Sequence, residues 1–136
     1  MTHPRLRVAS VVLGSADPLA LGAFYQQLMG YEVVASYPAR PGMPEADGWM
    51  MLRSADPAAV KLSFQYEPGY EPPTWPPAPG EPQMMLHLDI AVEDLDAAVA
   101  WALSVGATLA EHQPQERVRV LLDPAGHPFC LFPGPV

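Results

Sequence analysis

The chain has 136 residues, 49% of them hydrophobic, and a formal net charge of −8. That length suits one compact domain or two small modules sharing a core. The acidic balance excludes a nucleic-acid partner, whose phosphates need clustered Lys and Arg, and speaks equally against an anionic membrane surface. No apolar run is long enough to span a bilayer, and "MTHPRLRVAS" is no continuous apolar signal segment. A lone cysteine, Cys130, leaves no internal disulfide to form. A cytoplasmic protein is the expectation.

The first elements lie in "VASVVLGSADPLALGAFYQQLMGYEVV": an apolar strand, a helix and a second strand. Asp17 is placed to cap the helix, because its carboxylate can accept from unpaired first-turn amides. Pro18 follows at the first helical position, where a missing N–H costs nothing. Leu21, Phe24, Tyr25 and Leu28 recur at helical spacing, and Gly30 supplies the stop. Three short strands are read after the helix, in "YEVVASY", "GWMMLR" and "AVKLSFQYE".

Next comes "EPGYEPPTWPPAPGEPQ", residues 67–83, which holds seven of the 18 prolines. Proline lacks an amide donor and fixes φ, so this segment reads as a stiff linker. The pattern then repeats. Asp94 caps a second helix, Leu95, Ala98, Trp101, Ala102 and Val105 form its apolar stripe, and Gly106 ends it. Superposing Asp17 on Asp94 puts Phe24 on Trp101. Strands follow in "ATLAEH", "ERVRVLL" and "PFCLF", with an Asp-Pro turn before the last strand of each half, at Asp56-Pro57 and Asp123-Pro124. The expectation is an α+β fold of two tandem βαβββ modules, residues 1–66 and 84–136, joined by the 67–83 linker into one structural domain.

Two such modules, the second opening with "HLDIAVEDLDAAVAWALSVGA" and closing with "DPAGHPFCLF", resemble the vicinal oxygen chelate superfamily. That superfamily contains glyoxalase I, extradiol dioxygenases and bleomycin-resistance proteins, and the nearest likeness is to its glyoxalase-like subgroup. The resemblance implies curved mixed sheets around a cleft, with helices outside, and a homodimer. It also implies four ligand positions on the first and last strands of each module. Here those positions fall on Ser10, on Ser63 or Gln65, on His87 and on Cys130. Only His87 matches the family's usual metal ligands, and neither of its glutamates is present.

Strand alternation gives a separate reading. Leu88, Ile90 and Val92 should face the helix, leaving His87, Asp89 and Ala91 toward the cleft. Ser10, Ser63 and Gln65 fall on the corresponding face of the first module. In "ERVRVLL", Val118, Val120 and Leu122 are read as packed, with Arg117 and Arg119 on the other side. Trp49 and Met51 alternate together and can reach the cleft, while Met50 reads as core. Trp75, in the proline-rich segment, reads as a lid or as a contact to a second subunit.

His87 then has three readings. It is a binding residue, a general base oriented by Asp89, or a metal ligand with Gln65 and Cys130. Cys130 reads most simply as a small apolar side chain. Arginines in the cleft would favour a carboxylate or phosphate on the ligand. There is no phosphate loop, nucleophile elbow or dinucleotide fingerprint. The expected function is binding of a hydrophobic, aromatic small molecule without a cofactor, as in resistance by sequestration. The expected ligand contacts are Ser10, Trp49, Met51, Ser63, Gln65, His87, Arg117, Arg119 and Cys130. The alternatives are a lyase, isomerase or dioxygenase using a divalent metal (Zn, Fe, Ni or Mn), and a metal-free acid/base enzyme using His87 and Asp89.

Overall fold

The structure is a computed structural model that describes residues 2–136. Its elements run β1 (Ser10–Ser15), α1 (Pro18–Met29), β2 (Glu32–Tyr37), β3 (Trp49–Arg53), β4 (Lys61–Tyr66), β5 (Leu88–Val92), α2 (Leu95–Ser104), β6 (Thr108–Leu109), β7 (Arg119–Leu122) and β8 (Pro128–Pro133). The chain divides into two compact units, residues 1–68 and 69–136. Each unit is a βαβββ module with a four-stranded sheet, in the orders β1-β4-β3-β2 and β5-β8-β7-β6. In both, the first strand pairs parallel with the last and the remaining pairs are antiparallel. The two halves thus share one topology, as the weak sequence repeat implies.

Local chemistry places the helices. Asp17 Oδ1 accepts from the Ala20 amide at 3.1 Å, and Asp94 Oδ1 accepts from the Ala97 amide at 3.0 Å. These bonds satisfy amides that the first helical turn leaves without a carbonyl. Gly30 closes α1 in the left-handed conformation, φ 66°, a region open to glycine at little cost. In α2 the cap falls one residue before the expected glycine, at Val105.

In the first unit, Tyr25 of α1 stacks on Phe64 of β4 with ring centroids 5.6 Å apart, and both are fully buried. Leu21, Phe24, Leu52 and Leu62 join that core. In the second unit the core includes Ala102, Val120, Leu121, Phe129 and Leu131. Trp101, expected in the apolar stripe of α2, is instead 52% exposed. The repeat breaks down at this position: Phe24, which superposes on Trp101, is 4% exposed, whereas Tyr25 and its counterpart Ala102 are both completely buried, so the buried line of α2 runs through the alanine. Trp101 sits one step around the helix from it.

A second departure concerns β7. Val120 pairs with Cys130, and Leu121 pairs with Phe129. Leu121 and Phe129 are fully buried, so β7 is one residue out of phase with the alternation read in "ERVRVLL". Adjacent apolar residues at 120 and 121 leave that parity undecided in the sequence. β6 is also shorter than "ATLAEH" suggested. Beyond Leu109, the Ala110 amide and the Gln113 side chain take over the pairing of Val120.

The proline-rich segment is seated on the second unit. Tyr70 Oη donates to the Ala125 carbonyl at 2.7 Å, and Trp75 Nε1 donates to the His112 carbonyl at 3.1 Å. Their rings lie 5.4 Å from His127 and 5.8 Å from His112. Trp75 therefore rests against the loop after β6.

Candidate functional site

In the first unit, α1 packs on one face of the sheet. Residues paired directly across neighbouring strands share a face. By that rule Trp49 and Gln65 lie together, as do Met51, Ser63 and Val12. Ser10 shares that face, two residues before Val12 on β1. Its hydroxyl lies 2.6 Å from that of Ser63, which is 1% exposed. The two expected ligand positions of this unit are therefore hydroxyls bonded to each other. Gln65 points its amide at Glu67 Oε2, 3.5 Å away.

Farther along the same face, Tyr37 stacks on Trp49 with centroids 5.8 Å apart and planes 23° from parallel. The pair forms one wall of a cavity of about 420 Å³, which Arg40, Asp47, Gln65 and Tyr66 also line. Arg40 is locked in place. Its Nε donates to Asp47 Oδ2 at 2.9 Å and its Nη2 to Oδ1 at 2.8 Å, a two-pronged pairing, while its backbone amide reaches Oδ2 at 3.0 Å. The bonds from the Arg40 side chain, then from its amide, draw the Asp47 carboxyl down to about 2. The sequence reading found Trp49 and missed Tyr37, Arg40 and Asp47. Tyr37 was legible as the β2 residue facing Trp49 once a β2–β3 hairpin was drawn. The Arg40–Asp47 clamp lies within an irregular loop and leaves no periodic signal.

In the second unit, β5 and β8 put Asp89 directly beside Cys130. His87 stands just ahead of β5, and its Nε2 lies 3.0 Å from Asp89 Oδ1. One ligand atom from each of His87, Asp89 and Cys130 falls within 4.8 Å of the others. Burial first, then the negative charge and hydrogen bonding of Asp89, push the Cys130 thiol up from its ordinary value. Asp89 thus touches His87, and it also holds the thiol.

The arginines are placed otherwise. Arg119 shares its face with Leu131, opposite to Cys130, and its Nη1 donates to the carbonyls of Gln115, Glu116 and Val118. Its role here is to brace the loop before β7. Arg117 is exposed in a bend ahead of that strand. Gln65 belongs to the first unit, whereas His87 and Cys130 belong to the second. The donor that joins His87 and Cys130 within their own unit is Asp89.

His87, Asp89 and Cys130 offer a nitrogen, an oxygen and a sulfur, a set that suits zinc or another borderline divalent ion. Around a tetrahedral zinc, ligand atoms stand about 3.3–3.8 Å apart. Side-chain rotation of the exposed His87 and Asp89 would close the remaining gap. The donor set therefore fits such an ion, with one position left open.

A family model described as the glyoxalase-like domain matches residues 10–132. The chain belongs to that family. Its fold is similar to solved structures of low identity. One is the fosfomycin resistance protein FosX from Listeria monocytogenes, complexed with Mn(II). It is 15% identical, with TM-score 0.64 over 96% of this chain and 91% of that one. Another is TnmS3, an antibiotic binding protein from a Streptomyces species. It is 19% identical, with TM-score 0.57 over 98% and 100% of the two chains. A third is a bleomycin resistance determinant encoded on the transposon Tn5. It is 22% identical, with TM-score 0.57 over 96% and 100%. No curated protein matches in sequence. Likeness at these identities concerns the fold, which this chain shares with a metal-complexed resistance protein and an antibiotic-binding one. No helix among the described residues is long and apolar enough to cross a membrane.

Proposed function

We propose that this glyoxalase-like protein binds a planar, hydrophobic small molecule on the open face of its first unit, with no metal required. The observation that carries the reading is the Tyr37–Trp49 stack walling a cavity of about 420 Å³. That size is within the range that holds a small organic ligand. Parallel aromatic rings provide flat apolar area with little side-chain entropy to lose. Met51, a pliable side chain, lies on the same face two residues along β3 from Trp49. The fixed Arg40–Asp47 clamp and the Gln65 amide supply the few polar groups that orient a ligand. TnmS3 and the Tn5 determinant are named for antibiotic binding and bleomycin resistance. Sequestration of such a compound is the role we assign by that likeness.

Thermal-shift screening of planar aromatic compounds tests this. A ligand of the folded state raises the melting temperature by linkage. We expect hits whose shift survives exhaustive EDTA treatment and disappears in Trp49→Ala. Hits that need added metal and ignore Trp49→Ala would overturn the reading.

A second reading is favoured by the 3.0 Å contact of His87 with Asp89 and by Cys130 beside them. As an acid/base pair, His87 would move a proton while Asp89 orients its ring. As metal ligands, the three residues would hold a divalent ion able to polarise a bound oxygen. Elemental analysis of the purified protein, with His87→Ala as control, distinguishes these two roles.

The assembly we propose is a homodimer. Met85 and Leu86 are 82% and 81% exposed, and apolar side chains so placed favour association. A monomeric mass by light scattering at micromolar protein would refute it.

A further inference from the structure

We propose that the first unit carries a second site, distinct from the aromatic cavity, which binds a small oxyanion of phosphate size. At the end of the sheet where β1 and β4 begin and β3 stops, a cavity of about 280 Å³ is lined by Arg7, Arg53 and Lys61. The chain has only seven Lys and Arg residues against 15 acids. Three of those seven cations meet here, and the only acid lining the cavity is Asp56.

The topology brings them together. Ser10 and Lys61 pair at the start of the parallel strands, and the Lys61 amide donates to the Ala9 carbonyl at 3.3 Å. Arg7 precedes β1 on this side, and Arg53 is the last residue of antiparallel β3. The turn between β3 and β4 closes the cavity. Its Asp56 is already engaged, since Oδ1 accepts from the Ala58 amide at 2.9 Å. Arg53 is held by Glu32 through Nε and Nη2. Among the described residues, Arg7 and Lys61 form no ion pair and no side-chain hydrogen bond.

Two unpaired cations and a third held by its partner thus surround one hollow, on a protein whose overall charge repels anions. Low-dielectric walls concentrate such a local field. Guanidinium and ammonium groups donate strong, charge-assisted hydrogen bonds to phosphate oxygens. The volume admits a phosphate group with its water, or the terminal phosphate of a small ester. The open aromatic face lies on other residues, so this site stands or falls independently of the reading above.

Titration of the full-length protein with inorganic phosphate, followed by calorimetry or ³¹P line broadening, tests the site. We expect saturable binding in the millimolar range or tighter, weakened by salt. Lys61→Met and Arg7→Gln should each weaken it about tenfold, as when one charge-assisted hydrogen bond is lost. Lys61→Arg should restore most of the affinity, which excludes a folding defect as the cause. Methyl phosphate binding as tightly as phosphate would assign the site to an ester's terminal group, and weaker binding to free phosphate. Absence of saturable binding, or binding indifferent to both Lys61→Met and Arg7→Gln, would overturn the proposal.

Discussion

Gln113 stands in for a strand, and removing its amide should cost more than its loop position suggests. Its Nε2 donates to the Ala110 and Val120 carbonyls, and its Oε1 accepts from the Val120 amide, all at 2.8 Å. Val120 is 3% exposed, so water cannot replace these bonds at the amide. In Gln113→Ala the Val120 carbonyl keeps the Ala110 amide, at 3.0 Å. The Val120 N–H keeps nothing. Orphaning one buried donor costs about 1–3 kcal/mol, and we expect a loss of about 2 kcal/mol. Gln113→Glu should lose more at neutral pH, because a carboxylate would face two carbonyl oxygens. That excess should shrink in acid, when the carboxyl regains a proton to donate. Urea unfolding followed by circular dichroism gives the magnitude, and hydrogen exchange at the Val120 amide gives the location. A loss below about 0.5 kcal/mol, with Val120 exchange unchanged, would refute the argument, since that is the scale of an ordinary surface substitution.

Three further outcomes follow from the ionisable groups. Asp47 is drawn from 3.8 to about 2 by Arg40, so its contribution to stability is complete above pH 3.8 and disappears as pH falls toward 2. Between those limits Asp47→Asn should flatten the acid-unfolding curve, and a wild-type slope in the variant would contradict the clamp. Burial and then the charge of Asp123 push the Tyr70 phenol up to about 12 from 10.0. Stability linked to it is therefore present below pH 10 and lost as pH rises through about 12. Absorbance titration should show a late-titrating tyrosine that is missing from Tyr70→Phe. Cys130, its thiol held protonated, should alkylate slowly at neutral pH, and Asp89→Asn should speed the reaction. Equal rates in the two proteins would show that Asp89 does not hold the proton.

Features written in periodic residues were readable from the chain. Asp17, Pro18 and Gly30 bound α1 because capping is local chemistry, and the matching Asp94 exposed the repeat. Strand parity put Ser10 and Ser63, and His87 and Asp89, toward the cleft side of their modules, while the contacts between their side chains emerged only in the structure. Parity failed in "ERVRVLL", where apolar neighbours at 120 and 121 fit either face, and Arg119 moved with the error. Trp101 misled because hydrophobicity marks a helix stripe without saying how wide the partner surface is. Arg40 and Asp47 met through a loop whose path no periodicity encodes.

The seating of the proline-rich segment alters how much slack joins the two halves. The Glu67 amide is bonded to Ser15 of the first unit, and the Tyr70 hydroxyl to Ala125 of the second. Between these anchors lie only Pro68 and Gly69, the latter at φ 70°. A tether that looks seventeen residues long in the sequence is, by its bonds, two residues long. Lengthening the chain inside residues 71–83 should leave the Glu67-to-Tyr70 tether at its present length, whereas a single insertion after Pro68 should extend it.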